Sequence, residues 1–191
     1  MMIEGTRIHL VPATLHDKQA VYQWCFHSET TPSHSGPPHF PDVLIPSFEA
    51  FCADYYDDDF FTDAAPNRGR GYIIRHKEQP VGFVSYTSFH MKPGKAEFDI
   101  WMNCEANCGK GFGTDALLTL ANELADTLGV CEFIMRPSAK NRRALRAYQK
   151  AGFEASRQPP SDYLLAEYLS LYGDGDYGEG ETALLVKRIQ A

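Results

Sequence analysis

Gly109, Gly111 and Gly113 fall within five residues, directly before a run in which Leu117, Leu120, Ala121, Leu124 and Leu128 recur at helical spacing. The spacing predicts an amphipathic helix beginning at Gly113, with Gly129 placed to end it. A helix start leaves its first backbone N–H groups without partners and carries partial positive charge, a combination that attracts phosphate. One helix dipole contributes only about 0.3–1 kcal/mol at an exposed site, so firm phosphate binding requires several N–H groups aimed together. Glycines let the backbone curl into that shape and let a ligand approach with no Cβ in the way. Lys110 adds positive charge beside them. The simpler alternative is a tight loop that only caps the helix, although capping usually requires one special residue rather than three.

Two familiar phosphate loops fit poorly. The pattern G-x-x-x-x-G-K-[ST] is not met. The segment "GFGTDA" does fit G-x-G-x-x-A, but a dinucleotide fingerprint directly follows its strand and opens a βαβ unit. Here it follows a hairpin and several intervening residues.

The surrounding pattern sets the fold class. "TRIHLVPA" alternates like a strand, and "LHDKQAVYQWCFHS" reads as a helix with Thr14 as N-cap. "TTPSHSGPPHFPD" is a Pro-rich loop without regular structure, "SFEAFCADYY" a short helix, and "DDDFFTDAAPNRGR" an acidic loop. Period two then takes over: "GYIIRHKEQPVGFVSYTSF" is a hairpin and "KAEFDIWMN" the next strand. After the glycine loop and its helix come the strand "VCEFIMRP", the helix "NRRALRAYQKAGF" starting at Asn141, and a last strand "ETALLVKRI". Residues 158–180 read as an insertion, helix-like at first and then Gly/Asp-rich. The order predicts an α/β (α+β) chain: a mixed, mostly antiparallel sheet flanked by helices. A single domain over residues 1–191 is expected from the length.

Charge and cysteines exclude some partners. A net charge of −7 argues against nucleic acid, whose binding draws on cationic side chains. The start lacks the apolar core of a signal peptide, and no apolar run nears membrane-spanning length, so no membrane partner is expected. The odd count of five cysteines reads as free thiols in a cytoplasmic setting. Cys104 and Cys108 lack a second Cys/His pair at zinc-like spacing, so no metal is expected.

Taken together, "CGKGFGTDALLTLANELADTLGV" and "CEFIMRPSAKNRRALRAYQKAGFE" resemble the acetyl-CoA core of the GNAT N-acetyltransferase superfamily. The family pattern places [QR]-x-x-G-x-[GA] at a helix start, followed by a strand, an Asn-containing turn and a helix ending in Tyr-x-x-x-Gly-Phe. Gly111, Gly113, Asn141, Tyr148 and Gly152–Phe153 match it, over roughly residues 96–155. Cys108 departs from the family's Gln or Arg, with Asn107 beside it as a partial substitute. Local likeness extends to the aminoglycoside and other small-amine branch and, in part, to the ribosomal-protein branch.

The resemblance implies acetyl-CoA as cosubstrate and direct transfer to a primary amine of a small molecule or peptide. It implies coenzyme contacts at Trp101, Met102, Cys108, Gly109, Lys110, Gly111, Phe112, Gly113, Thr114 and Asn141, and a homodimer is frequent among relatives. Strand alternation places Glu97, Asp99 and Trp101 on one face and Phe98, Ile100 and Met102 on the other. Asp99 is the expected base that frees the amine, with Glu97 helping to hold the cation. Tyr148 is the expected donor to the departing sulfur, and a backbone N–H between Ile100 and Met102 the expected oxyanion partner. A nucleophilic Cys108 lacks a nearby histidine to activate it. Asp57, Asp58 and Asp59 beside Tyr55, Tyr56 and Phe60 suggest either a polycation site or a solvated acidic loop, and His34 and His39 either substrate contacts or surface residues. Two other readings remain: a coenzyme-binding sensor without catalysis, and a protein N-terminal acetyltransferase.

Overall fold

The computed structural model describes residues 1–34, 44–54 and 57–189. The chain opens with β1 (Ile3–Glu4) and β2 (His9–Pro12), then α1 (Lys18–Phe26), α2 (Thr31–His34), α3 (Phe48–Asp54) and α4 (Asp57–Phe60). The hairpin β3 (Gly69–His76) and β4 (Gln79–Thr87) follows, then β5 (Lys95–Met102), α5 (Phe112–Leu128), β6 (Glu132–Met135) and α6 (Arg142–Lys150). β7 (Glu154–Ala155), α7 (Leu169–Tyr172) and β8 (Leu185–Arg188) complete it.

One sheet carries all eight strands in the order β1-β2-β3-β4-β5-β6-β8-β7. Every pairing is antiparallel except β5 with β6. That pair is short: it matches only Lys95, Ala96 and Glu97 with Glu132, Phe133 and Ile134. Beyond Glu97 the two strands part, and the far half of β5 keeps β4 alone as neighbour.

Helices cover both faces. α5 seats Ala116, Leu117, Leu120, Ala121 and Leu124 against Phe98, Ile100 and Phe133, with Leu145 and Tyr148 of α6 on the same side. Burial of a leucine side chain contributes about 1.5–3 kcal/mol, so this helix is held mainly by its apolar face. The opposite face packs Val21, Tyr22 and Cys25 of α1, Phe51 of α3 and Phe60 of α4 against Ile73, Phe83 and Trp101. A third cluster on that face joins Tyr163 and Leu164 to Met91, Ile134 and Val186, and thereby seats the 158–180 insertion. Among the described residues, no helix is long and apolar enough to cross a membrane.

Some expectations are corrected. β1 and β7 have two residues each and are too short to leave a period in the sequence. The Pro-rich stretch opens with a helical turn, α2, because Pro32 stands early in it, where its missing N–H costs nothing. His39, Tyr55, Tyr56 and the side chain of His34 lie outside the described residues. The acidic stretch is a helical turn, α4, rather than a loop, with Asp57 and Asp58 exposed and Asp59 buried. Asp57 pairs with Lys18 at 2.5 Å, Asp59 with Arg68 at 2.9 and 3.1 Å, and Asp63 with Arg70 at 2.9 Å.

Candidate active site

The glycine loop forms one wall of a groove of about 540 Å³ that also runs along the end of β5 and along α6. Gly109 and Gly111 have φ of +71° and +86°, the left-handed region that side chains resist, and Gly111 is the N-cap of α5. A Cβ on Gly109 would meet nothing within 4 Å, so the space above it is open. A Cβ on Gly113 would make only ordinary contact, 3.5 Å from Ile100 Cδ1. The protein's own packing therefore does not require glycine at 113. Asp115 N donates to Gly111 O at 3.0 Å as the first bond of the helix. The N–H groups of Phe112, Gly113 and Thr114 are left for partners outside it.

The loop is clamped from a distant part of the chain. Asp115 accepts the backbone N–H groups of Thr6, Arg7 and Ile8 at 3.1, 2.6 and 3.2 Å. The Arg7 guanidinium donates to Lys110 O at 3.1 Å. Lys110, the charge expected at the loop, is exposed and stands off the groove, which instead borders Arg143, Arg146 and Lys150 of α6. Their spacing along one helix was legible; that this face turns toward the glycines was not. Arg143 is oriented by Glu105 at 2.5 and 2.9 Å and by Ser33 Oγ at 2.8 Å.

Cys108, Phe112, Thr114 and Met102 border the groove. Burial pushes the Cys108 thiol up, away from the thiolate that a nucleophile requires, and its Sγ lies 3.6 Å from Cys104 O. Trp101 borders the groove too, but its indole belongs to the core, 4.9 Å from the Phe83 ring. Asn141 caps α6 by accepting from Ala144 N at 3.1 Å, and its amide donates to Ser33 O.

Where β5 leaves β6, its backbone groups face the gap. Ile100 N–H is taken by the Asp99 carboxylate at 2.9 Å, and Met102 O accepts Thr30 Oγ1 at 2.7 Å. Strand alternation puts the N–H of Met102 on the same side as that of Ile100. Of the expected oxyanion donors, Ile100 is thus already engaged and Met102 is better placed.

Through the gap lies a second cavity of about 440 Å³, with Asp99 in its wall. Ile100, Asn141 and Tyr148 border both cavities, so the two meet at Tyr148. Desolvation, then the nearby charge of Asp99, holds the Tyr148 hydroxyl far above its ordinary pKa, as a neutral donor. The insertion contributes Tyr172, Asp176 and Tyr177 to this cavity. None of the three stood out in the sequence, because the insertion has no period that would orient it.

Glu97 requires a correction. It lies in the cavity wall as alternation predicts, but both oxygens are engaged. Arg136 Nε and Nη2 meet them at 2.6 and 2.8 Å, and His90 Nε2 adds a contact at 2.7 Å. Desolvation alone would raise the carboxyl; the hydrogen bond from His90 and the Arg136 guanidinium outweigh it and hold the pKa at about 2. A carboxylate so neutralised holds side chains in place rather than a cation.

The acetyltransferase (GNAT) domain family matches residues 7–154. Over 151 residues the chain is 26% identical to aminoglycoside N(6')-acetyltransferase type 1 of Klebsiella pneumoniae, covering 74% of this chain and 71% of that protein. Among solved structures it is similar to aminoglycoside acetyltransferase AAC(6')-Ib in complex with paromomycin and acetyl-CoA, with a TM-score of 0.68 and 20% identity over 95% of this chain and 93% of that one. It is also similar to RimL, a ribosomal L7/L12 α-N-protein acetyltransferase in complex with coenzyme A, with a TM-score of 0.66 and 16% identity over 99% and 98% of the two chains. At these identities the structural likeness concerns the fold.

Proposed function

The chain belongs to the acetyltransferase (GNAT) domain family, and from that premise we propose that it transfers an acetyl group from acetyl-CoA directly to a primary amine of a small molecule. The observation that carries this reading is the meeting of two cavities at Tyr148, one walled by glycines and cationic side chains, the other by a carboxylate and aromatic rings. Bound acetyl-CoA would supply an acetyl group activated as a thioester. The open backbone at Gly109 and Gly111 and the N–H groups of Phe112, Gly113 and Thr114 suit its pyrophosphate, with Arg143, Arg146 and Lys150 adding charge. Met102 N–H offers a donor to the carbonyl oxygen as charge develops on it. Asp99 takes a proton from the incoming ammonium, and Tyr148, held neutral, donates to the sulfur as it leaves.

A small acceptor suits a cavity of about 440 Å³ whose wall includes Tyr172, Asp176 and Tyr177 of the insertion. The relatives named above include acetyltransferases of aminoglycosides, which are small polyamines. A cytoplasmic setting fits the five free cysteines.

The test is release of free thiol from acetyl-CoA in the presence of polyamines, aminoglycosides, amino acids and short peptides. Release with a small amine supports the proposal, and release with peptides alone moves the acceptor to the protein class. Saturable acetyl-CoA binding with no release across the panel would make the chain a sensor. Asp99→Asn should keep coenzyme binding and lose about 10²-fold or more in kcat; full activity removes Asp99 as base.

A further inference from the structure

α6 is charged in a way that its own stability disfavours. Arg142, Arg143, Arg146 and Lys150 stand on it, with no carboxylate between Asn141 and Lys150. Arg142 with Arg146, and Arg146 with Lys150, are like-charged pairs four residues apart, an arrangement that destabilises a helix. Arg142 and Arg143 also open the helix, the end whose dipole favours anions. Glu105 offsets this for Arg143 through hydrogen bonds at 2.5 and 2.9 Å. Among the described residues no carboxylate pairs with Arg146 or Lys150, and both side chains are exposed. Arg146 Nε donates to Arg142 O at 3.2 Å, which leaves its two Nη groups for other partners.

The glycine-walled groove collects these cations. Its wall includes Arg143, Arg146 and Lys150 and no carboxylate, in a chain whose net charge is −7. A helix turns about 100° per residue, which orders its side chains round the axis. Asn141, Ala144 and Tyr148 share one side of α6; Ala147 comes next, then Arg143, Lys150 and Arg146. Asn141 and Tyr148 border both cavities, so their side faces the gap between β5 and β6. Thr114 Oγ1 donates to Ala147 O at 3.3 Å. The start of α5, with the N–H groups of Phe112, Gly113 and Thr114, therefore meets α6 between Tyr148 and the cations. Those N–H groups already suit a pyrophosphate. Cations set beyond them imply a further anion on the same ligand.

We propose that Arg146 and Lys150 hold the 3'-phosphate of the coenzyme, so that the acyl donor is recognised by a phosphomonoester as well as by its pyrophosphate. The proposal rests on the acetyltransferase reading and deepens it. With the sulfur at Tyr148 and the pyrophosphate on the N–H groups of α5, the adenosine and its 3'-phosphate follow on the side away from Tyr148, where the two cations stand. A phosphomonoester carries about −1.5 to −2 charges at pH 7, enough to relieve the repulsion between them. Arg143, engaged by Glu105 and by Ser33 Oγ, holds the rim of the groove instead. Thioesters that end in the pantetheine and pyrophosphate but lack that phosphate should therefore be poorer donors.

The test is calorimetry of coenzyme A against 3'-dephospho-coenzyme A, which differ only in that phosphate. The wild type is expected to bind coenzyme A about tenfold more tightly, because exposed ion contacts are individually weak and the phosphate meets two. The preference should narrow as salt is raised, since exposed charges are screened. In the double variant Arg146→Gln with Lys150→Gln the two ligands should bind alike, through loss on coenzyme A. The variant removes like-charged pairs from an exposed face, so it should melt no lower than wild type. Equal losses on both ligands would assign the two cations to the pyrophosphate and overturn the proposal. A preference that survives the double variant, or one indifferent to salt, also overturns it. Equal affinity in the wild type overturns it too, and thiol release from acetyl-CoA with an amine would then leave the acetyltransferase reading standing. Binding of neither ligand removes both.

Discussion

Glu97 of β5 and Arg136, just past the end of β6, meet through two parallel hydrogen bonds at 2.6 and 2.8 Å. The pair stands at the last matched residues of the parallel pairing, immediately before the strands separate. It therefore pins the closed end of the gap and holds His90 by its Nε2.

Acid stability should report this pair. The folded pKa of Glu97, about 2, lies below its ordinary 4.5. A depressed carboxyl contributes stability that is complete above about pH 4.5 and lost as pH falls toward 2. Urea midpoints measured from pH 5 down to 2 should fall through that window, and Glu97→Gln should flatten the slope there. The same variant should cost roughly 3–5 kcal/mol at neutral pH, because it leaves Arg136 buried without its counter-charge. An unchanged slope would show that other carboxyls govern acid unfolding.

Gly113 separates the needs of the fold from those of the ligand. Alanine at 113 would make only ordinary contacts with Ile100 and Met102, and it is a better helix former by up to about 1 kcal/mol. Gly113→Ala should therefore melt no lower than wild type yet bind acetyl-CoA at least about tenfold more weakly, since the methyl enters the groove. Gly111→Ala differs: at φ +86° it should lose about 1–2 kcal/mol of stability as well. Calorimetry of folding and of coenzyme binding on both variants checks the contrast, and undiminished affinity in Gly113→Ala would place the coenzyme elsewhere.

Asp115 is the clamp that holds the loop to the β1–β2 turn through three backbone donors. Asp115→Ala should cost about 2–3 kcal/mol, the range for charge-assisted bonds to otherwise unpaired donors. The KM for acetyl-CoA should rise several-fold while the KM for the amine holds. Equal loss on both substrates would mean that the clamp supports the whole sheet edge rather than the loop.

Tyr148 should act as a neutral donor throughout the working range. Its hydroxyl is held above the ordinary tyrosine pKa, first by desolvation and then by Asp99 and Tyr177. Tyr148→Phe should lower kcat by about 10²-fold and leave acetyl-CoA affinity unchanged. The wild-type rate should show no alkaline fall near pH 10, the ordinary tyrosine value, that disappears in the variant. A variant with wild-type kcat would remove Tyr148 from the chemistry.

Local physics made much of this chain legible in its sequence. The period of α5, the αL stop at Gly129 and the Asn141 cap of α6 depend on residues within a few positions of one another. Alternation along β5 correctly put Glu97 and Asp99 on the face opposite Phe98 and Ile100, because side-chain direction in a strand follows from pleating alone. The tertiary structure decided which of these groups remain available. Arg136, 39 positions from Glu97, neutralises its charge; Arg7, more than a hundred positions from Lys110, braces the glycine loop; Tyr172 from an unpatterned insertion packs on His90. Such pairings are set by where the sheet brings distant segments together, and no period in the chain encodes them. Sequence thus determined the elements and their inward faces, through short-range sterics and hydrophobic spacing. Only the fold decided the charge balance and the closed end of the gap, because each depends on long-range contacts.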